Sequence, residues 1–225
     1  MMDLQNQNYS FLASRVIPIV EPILGNKAFE HTNTTGNLRF SYLPEDQFAT
    51  KFQLFWQSLY KQIWNNKFKE YAPILLPSED VTLQVLTDYI KDSSNYMALN
   101  ELIQNDFETL VKSAYKQAND SLKVLQDANQ ADWYLVKGTS INHLTKLESF
   151  SYKNVKTGGD PNTINSMRKT VGPSWRIIVE MGSEIKAYGV YPGGQSGNPA
   201  SQYYDNGVKL WVEGKYYTLN FIPKK

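Results

Sequence analysis

Few side chains in this sequence suit acid–base or nucleophilic chemistry. The chain has two histidines, His31 and His143, and no cysteine. The absence of Cys removes disulfides, thiolate nucleophiles and thiolate metal sites, and neither His has a second His or an acidic residue at ligand spacing. Ser196, with His143 as base and Asp160 as orienter, is the serine triad the residue types permit. The nucleophile-elbow pattern needs a glycine two residues after the serine, and Asn198 stands there. The run Gly193-Gly194-Gln195-Ser196-Gly197 could cradle an anion on backbone N–H groups. It fits neither the dinucleotide-binding nor the P-loop pattern, and no helical pattern follows it. It reads as a rigid loop in which glycine supplies unusual backbone angles.

Arg176 stands between Trp175 and Ile177 in an apolar run, and strand alternation places it on the face opposite to both. An inward arginine calls for a partner, with Asp160 and Asp205 the candidate carboxylates. Bidentate recognition of a substrate carboxylate is the functional alternative. Asn165 either donates to a ligand or bridges a loop, the more usual work of Asn in a turn-rich stretch.

The elements that must position these residues fall into two regions. Residues 1–130 read as mainly helical and residues 131–225 as β-rich, an α+β chain. Phe11 to Leu24 is apolar but contains Pro18 and Pro22, which predicts a short or kinked helix. Pro44-Glu45-Asp46 opens a long helix, along which Phe48, Phe52, Phe55, Trp56, Leu59 and Ile63 recur at spacings of three and four. That stripe reads as core rather than as the wall of an acyl-binding groove. Ser78 caps a second helix carrying Val81, Val85, Leu86, Tyr89 and Ile90. Phe107, Leu110, Val111, Ala114, Tyr115, Ala118, Leu122 and Leu125 mark a third. Beyond residue 130, Trp175 to Glu180 and Lys186 to Tyr191 read as strands. Val208 to Val212 and Lys215 to Ile222 flank Glu213-Gly214 as a hairpin.

The net charge of +1, from 23 basic and 22 acidic side chains, leaves no dense basic face for nucleic acid or a membrane surface. No apolar run approaches the roughly 20 residues that span a bilayer. The opening residues lack the basic and apolar regions of a secretory signal.

The ordered segments between residues 158 and 211 are more specific. Gly158-Gly159-Asp160 precedes Thr163 and Asn165. Gly172-Pro173-Ser174-Trp175-Arg176 follows. Then come Pro192-Gly193-Gly194-Gln195-Ser196-Gly197-Asn198-Pro199, Ser201, Tyr204 and Asp205, and Trp211 closes the set. This series resembles the C-terminal signature of the penicillin acylase family, over roughly residues 40–225. The Phe55-Trp56 pair, Trp133 and residues 138–143 are similar to family features as well.

The resemblance implies an N-terminal-nucleophile hydrolase with a four-layer αββα sandwich. In that family a self-cleaved precursor exposes a serine whose own α-amine is its general base. The substrates are penicillins, acyl-homoserine lactones and other N-acyl compounds. The nucleophile, the oxyanion-hole asparagine and the calcium ligands lie in earlier segments of the family's large subunit. This chain opens Met1-Met2, and nothing around Ser10 resembles a processing site. Where many members carry Pro-His-Tyr, it has Gln202-Tyr203-Tyr204. The resemblance therefore transfers no catalytic residue, cofactor or metal. It leaves Gly158, Gly159, Asn165, Arg176, Gly193, Gly194, Gln195, Ser196, Gly197, Asp205 and Trp211 as structural motif positions.

The expected reading is a C-terminal part of an amide hydrolase that frames the substrate cleft and is inactive alone. Its expected partners are the upstream part of the same precursor and, in the complete enzyme, a small N-acyl substrate. The expected compartment is the periplasm. Strands taken from a larger sheet leave open edges, so self-association is expected. The alternative is a non-catalytic module whose aromatic-rich second half binds a sugar or an apolar ligand.

Overall fold

The computed structural model describes residues 1–30, 38–70, 76–90 and 96–220. The fold is α+β, with eight α-helices and one small antiparallel sheet among the described residues. The chain divides into two compact units. One comprises residues 10–40 and 46–133; the other comprises residues 1–9, 41–45 and 134–225.

The first unit is helical. Helix α2 (Phe11–Leu24) starts at Ser10, whose Oγ accepts from Ala13 N at 3.1 Å. It runs for 14 residues with Pro18 and Pro22 inside it, so of the short or kinked helix expected, the short form is not what is seen. Both prolines lie on the exposed face, where water can solvate the carbonyls they leave unpaired. Leu12, Ala13, Val16, Ile17 and Val20 meanwhile bury the opposite stripe.

Helix α3 (Phe48–Phe68) begins where the Asp46 carboxylate accepts from Phe48 N at 2.6 Å. Its stripe Phe48, Phe52, Phe55, Trp56, Leu59 and Ile63 is at most 1% exposed, so it is core. Phe29 inserts against it with ring centroids 5.9 Å from Phe52 and 5.1 Å from Phe55. Helix α6 (Phe107–Asp127), capped by Asp106 through Thr109 N at 2.9 Å, is the principal partner of α3.

Helix α4 (Glu79–Tyr89) is capped by Ser78 as expected, but it buries Thr82 and Leu86 and leaves Val81 and Tyr89 exposed. Thr82 is held because its Oγ1 accepts from Trp64 Nε1 at 2.8 Å and donates to Ser78 O. Helix α5 (Met97–Ile103) was not anticipated: it buries only Leu99 and Ile103, too few positions for a periodic signal.

The second unit holds helix α1 (Met2–Gln5), most of α7 (Trp133–Lys137) and the sheet β1 (Arg176–Glu180), β2 (Lys186–Val190) and β3 (Tyr217–Leu219), in the order β1-β2-β3. Arg176 pairs in register with Val190, and Ala187 with Leu219. The expected first arm of a hairpin, Val208 to Val212, is instead helix α8 (Val208–Val212). Val208 and Trp211, three apart, both point inward, and Val208 N bonds to Asp205 O at 2.9 Å. Apolar residues at 208, 210, 211 and 212 fit either period, and packing selects the helical one. Val155, Met167, Val190 and Trp211 form this unit's buried cluster. His31 lies outside the described residues. Among those described, no helix is long and apolar enough to cross a membrane.

Candidate functional site

Arg176 is buried, 3% exposed at the start of β1. Its Nη1 donates to Trp211 O and its Nη2 to Asn165 Oδ1, each at 2.8 Å. The guanidinium carbon lies 5.2 Å from the Trp211 ring centroid. The expected carboxylate partner is thereby corrected: neither Asp160 nor Asp205 pairs with it. Burial pulls the Arg176 pKa below its ordinary value, yet an arginine keeps its proton inside a protein. The charge is thus solvated by a carbonyl, an amide oxygen and an indole face. Its Nε is sealed without a partner.

From Arg176 the network branches to the other motif segments. Asn165 Nδ2 donates to Asn8 Oδ1 at 2.9 Å, and Asn165 N donates to Gln7 O at 2.9 Å. Trp211 Nε1 donates to Pro173 O at 2.8 Å, tying α8 to the segment that leads into β1. Asp160 is a turn residue: its Oδ1 accepts from Asn162 N at 2.7 Å, and its backbone N donates to Thr163 Oγ1.

The two glycines at 158 and 159 exist because of close approach. A Cβ on Gly158 would lie 2.4 Å from both Asn8 Nδ2 and Tyr42 O. A Cβ on Gly159 would lie 2.2 Å from Asn165 O, and Gly159 has φ +71°. Lys137 closes this loop from α7, its Nζ donating to Thr157 O at 2.7 Å and Gly158 O at 2.6 Å. Burial, opposed by the Asp160 carboxylate, pulls the Lys137 ammonium down to about 7.

Residues 193–197 form a closed loop, not an anion cradle. Gln195 N and Ser196 N both donate to Tyr203 O, at 2.6 and 3.1 Å, so these donors are already spent. A Cβ on Gly194 would lie 2.1 Å from Tyr204 O. Ser196 Oγ accepts from Asn198 N at 3.1 Å, and no base bonds to it. His143 Nδ1 accepts from Thr145 N at 3.3 Å. The Ser196–His143–Asp160 triad therefore does not form.

Ser196 and His143 nevertheless line one cavity of about 280 Å³ with Asp205, Tyr152 and Tyr204. Tyr152 OH donates to Asp205 Oδ2, a bond that, with burial, pushes the Tyr152 phenol up to about 12. Gln195 faces a different cleft, of about 200 Å³, beside Trp175 and Tyr191, whose rings stack at 5.9 Å and 2°. Among the described residues no group of three or more His, Asp or Glu could hold a metal ion.

The structure thus gathers Asn165, Arg176 and Trp211 into one node, packs Gly158 and Gly159 beside it through Asn8, and sets Gly193, Gly194, Ser196, Gly197 and Asp205 around one cavity. Sequence reasoning missed Asn8, Lys137 and Tyr152. Asn8 and Tyr152 act across 157 and 53 residues of chain, and no local pattern announces either.

The second unit thus gathers its signature loops around a buried arginine. The sequence model of the penicillin amidase family matches residues 1–225, and the chain belongs to that family. It is 42% identical over 52 residues to an acyl-homoserine lactone acylase, QuiP, of Pseudomonas aeruginosa, covering 23% of this chain and 6% of that protein. It is 33% identical over 96 residues to QuiP of a Pseudomonas fluorescens strain, covering 35% of this chain and 12% of that protein. To QuiP of Pseudomonas syringae pv. tomato it is 37% identical over 70 residues, covering 28% and 8%. The chain therefore matches only a small part of the curated relatives' length.

Two predictions follow from the packing. Gly159→Ala loses about 3 kcal/mol or more of unfolding free energy, from strain and a backbone clash. Gly197→Ala, with nothing within 4 Å of the new methyl, changes it by less than about 0.5 kcal/mol. Urea titrations of the two variants check both values. The Lys137 ammonium is pulled below its unfolded value of 10.5, so the folded state binds fewer protons between about pH 7 and 10.5. Stability should rise with pH across that window, and Lys137→Met should flatten the rise in urea midpoints measured from pH 6.5 to 10.

Proposed function

We propose that this chain is the C-terminal part of an N-acyl amide hydrolase, frames one side of its substrate cleft, and is inactive alone. The observation that carries the reading is the Arg176 node. The family's signature segments converge on a carbonyl, an amide and an indole, groups that fix backbone and perform no acyl transfer. The surroundings of Lys137 support it as well: its Nζ lies 3.1 Å from Thr157 Oγ1 but already donates to three carbonyls, those of Thr157, Gly158 and Gly159. The nucleophile is then supplied by a preceding segment of the same protein, as the family's chemistry requires.

The names of the relatives point to acyl-homoserine lactones as the substrate class, and the family resemblance points to the periplasm. Part of this reading is that β1 enters a larger sheet of αββα type in the complete enzyme. β1 is an edge of the described sheet, and Trp175, Ile177 and Val179 on one of its faces are 58%, 43% and 44% exposed.

A second reading rests on the stacked Trp175–Tyr191 pair beside its 200 Å³ cleft. Such a platform suits a non-catalytic module for a sugar or an apolar ligand.

The test is hydrolysis of N-acyl-homoserine lactones and chromogenic N-acyl amides by the chain alone. The expected outcome is a folded protein by circular dichroism with no turnover. Turnover overturns the proposal, and saturable quenching of Trp175 fluorescence by a sugar shifts the balance to the binding module. On the same sample, light scattering should show a mass that grows with concentration and falls back to monomer in the Ile177→Lys, Val179→Lys double variant. A wild-type mass independent of concentration would contradict the open-edge part of the reading.

A further inference from the structure

The cavity beside residues 193–197 holds a carboxylate with no countercharge. Asp205 is half-buried, and its Oδ2 is taken by Tyr152 OH. Its Oδ1 has no partner, and no Lys or Arg forms an ion pair with it among the described residues. Such a group ordinarily finds a cation when it leaves bulk water.

Around it stand aromatic rings. Tyr152, Tyr204, Phe150 and His143 line the same cavity of about 280 Å³. The last three hold one another in place: centroids are 5.6 Å apart for His143 and Phe150, 6.1 Å for His143 and Tyr204, and 6.3 Å for Phe150 and Tyr204. Tyr204 OH also donates to Phe150 O at 3.2 Å. The main chain of Asp205 is held at the start of α8, because its carbonyl accepts from Val208 N, and its carboxylate is held by the Tyr152 hydroxyl. A fixed anion among π faces, in a space the size of a small molecule, is the recognition chemistry of an organic ammonium ion. The polar walls fit this occupant. Ser196 adds a hydroxyl, and the backbone N–H groups of Gln195 and Ser196 are spent on Tyr203 O, so the loop offers an anion little.

We propose that this cavity is a binding site for a small organic ammonium, with Asp205 as its counter-ion and Tyr204 and Phe150 as its apolar walls. The site is independent of the hydrolase reading: it requires no nucleophile and no upstream segment, only the second unit as it stands.

The experiment titrates the full chain with choline and, separately, with 3,3-dimethyl-1-butanol, which has the same shape without the charge. Aromatic proton shifts in NMR report binding. Choline should give saturable shifts, with the neutral alcohol at least tenfold weaker. Asp205→Asn should lower choline affinity at least tenfold. Should that variant unfold by circular dichroism, Tyr204→Leu, which leaves the carboxylate in place, should lower it several-fold. Sodium acetate should produce no saturable shift. Equal binding of choline and the alcohol, unchanged affinity in a folded Asp205→Asn or Tyr204→Leu, or no saturable choline shift each overturns the proposal.

Discussion

The second unit depends on how one buried positive charge is accommodated. Arg176 enters β1 from the inside, where water cannot reach it, and no carboxylate meets it. Desolvating a guanidinium is costly, and the cost is offset only if its donors are met with good geometry. The carbonyl and ring of Trp211 and the Oδ1 of Asn165 meet it, from two segments that are both separate from β1. The loop ending at Asn165, the strand β1 and the helix α8 must therefore arrive together. Asn8 then links the same node to the glycine pair at 158 and 159. Its hydrogen-bond partners are neutral, so neither Asp160 nor Asp205 holds the node together.

The glycines belong to the same constraint. At 158, 159 and 194 the backbone of one segment lies where a side chain of another would have to be, so the segments touch through main-chain atoms. That contact fixes loop geometry more tightly than side-chain packing does, because a main-chain oxygen cannot rotate away. Gly197 is different, open on all sides, and its place in the motif has no packing reason.

The parts legible in the sequence are those with a local period. The stripe of α3, the stripe of α6, the cap Ser78 and the strand run after Trp175 all announce themselves within a few residues. The facing of Arg176 followed from strand alternation, but its partners did not. Charge complementarity suggested Asp160 or Asp205, whereas the fold spends Asp160 on a turn and Asp205 on Tyr152. Helix α8 was misread because five residues with four apolar positions satisfy both periods. Asn8, Lys137 and Tyr152 act through tertiary closure alone, which a single sequence does not display.

The central claim is that Arg176 couples segments far apart in the chain, and hydrogen exchange read by mass spectrometry on Arg176→Met tests it most directly. The replacement keeps apolar volume and removes the donors. The account predicts that amide protection falls together in peptides covering residues 163–167, 173–180 and 207–214, while peptides of α6 keep theirs. Loss confined to β1, with residues 163–167 and 207–214 protected as in the wild type, would contradict it.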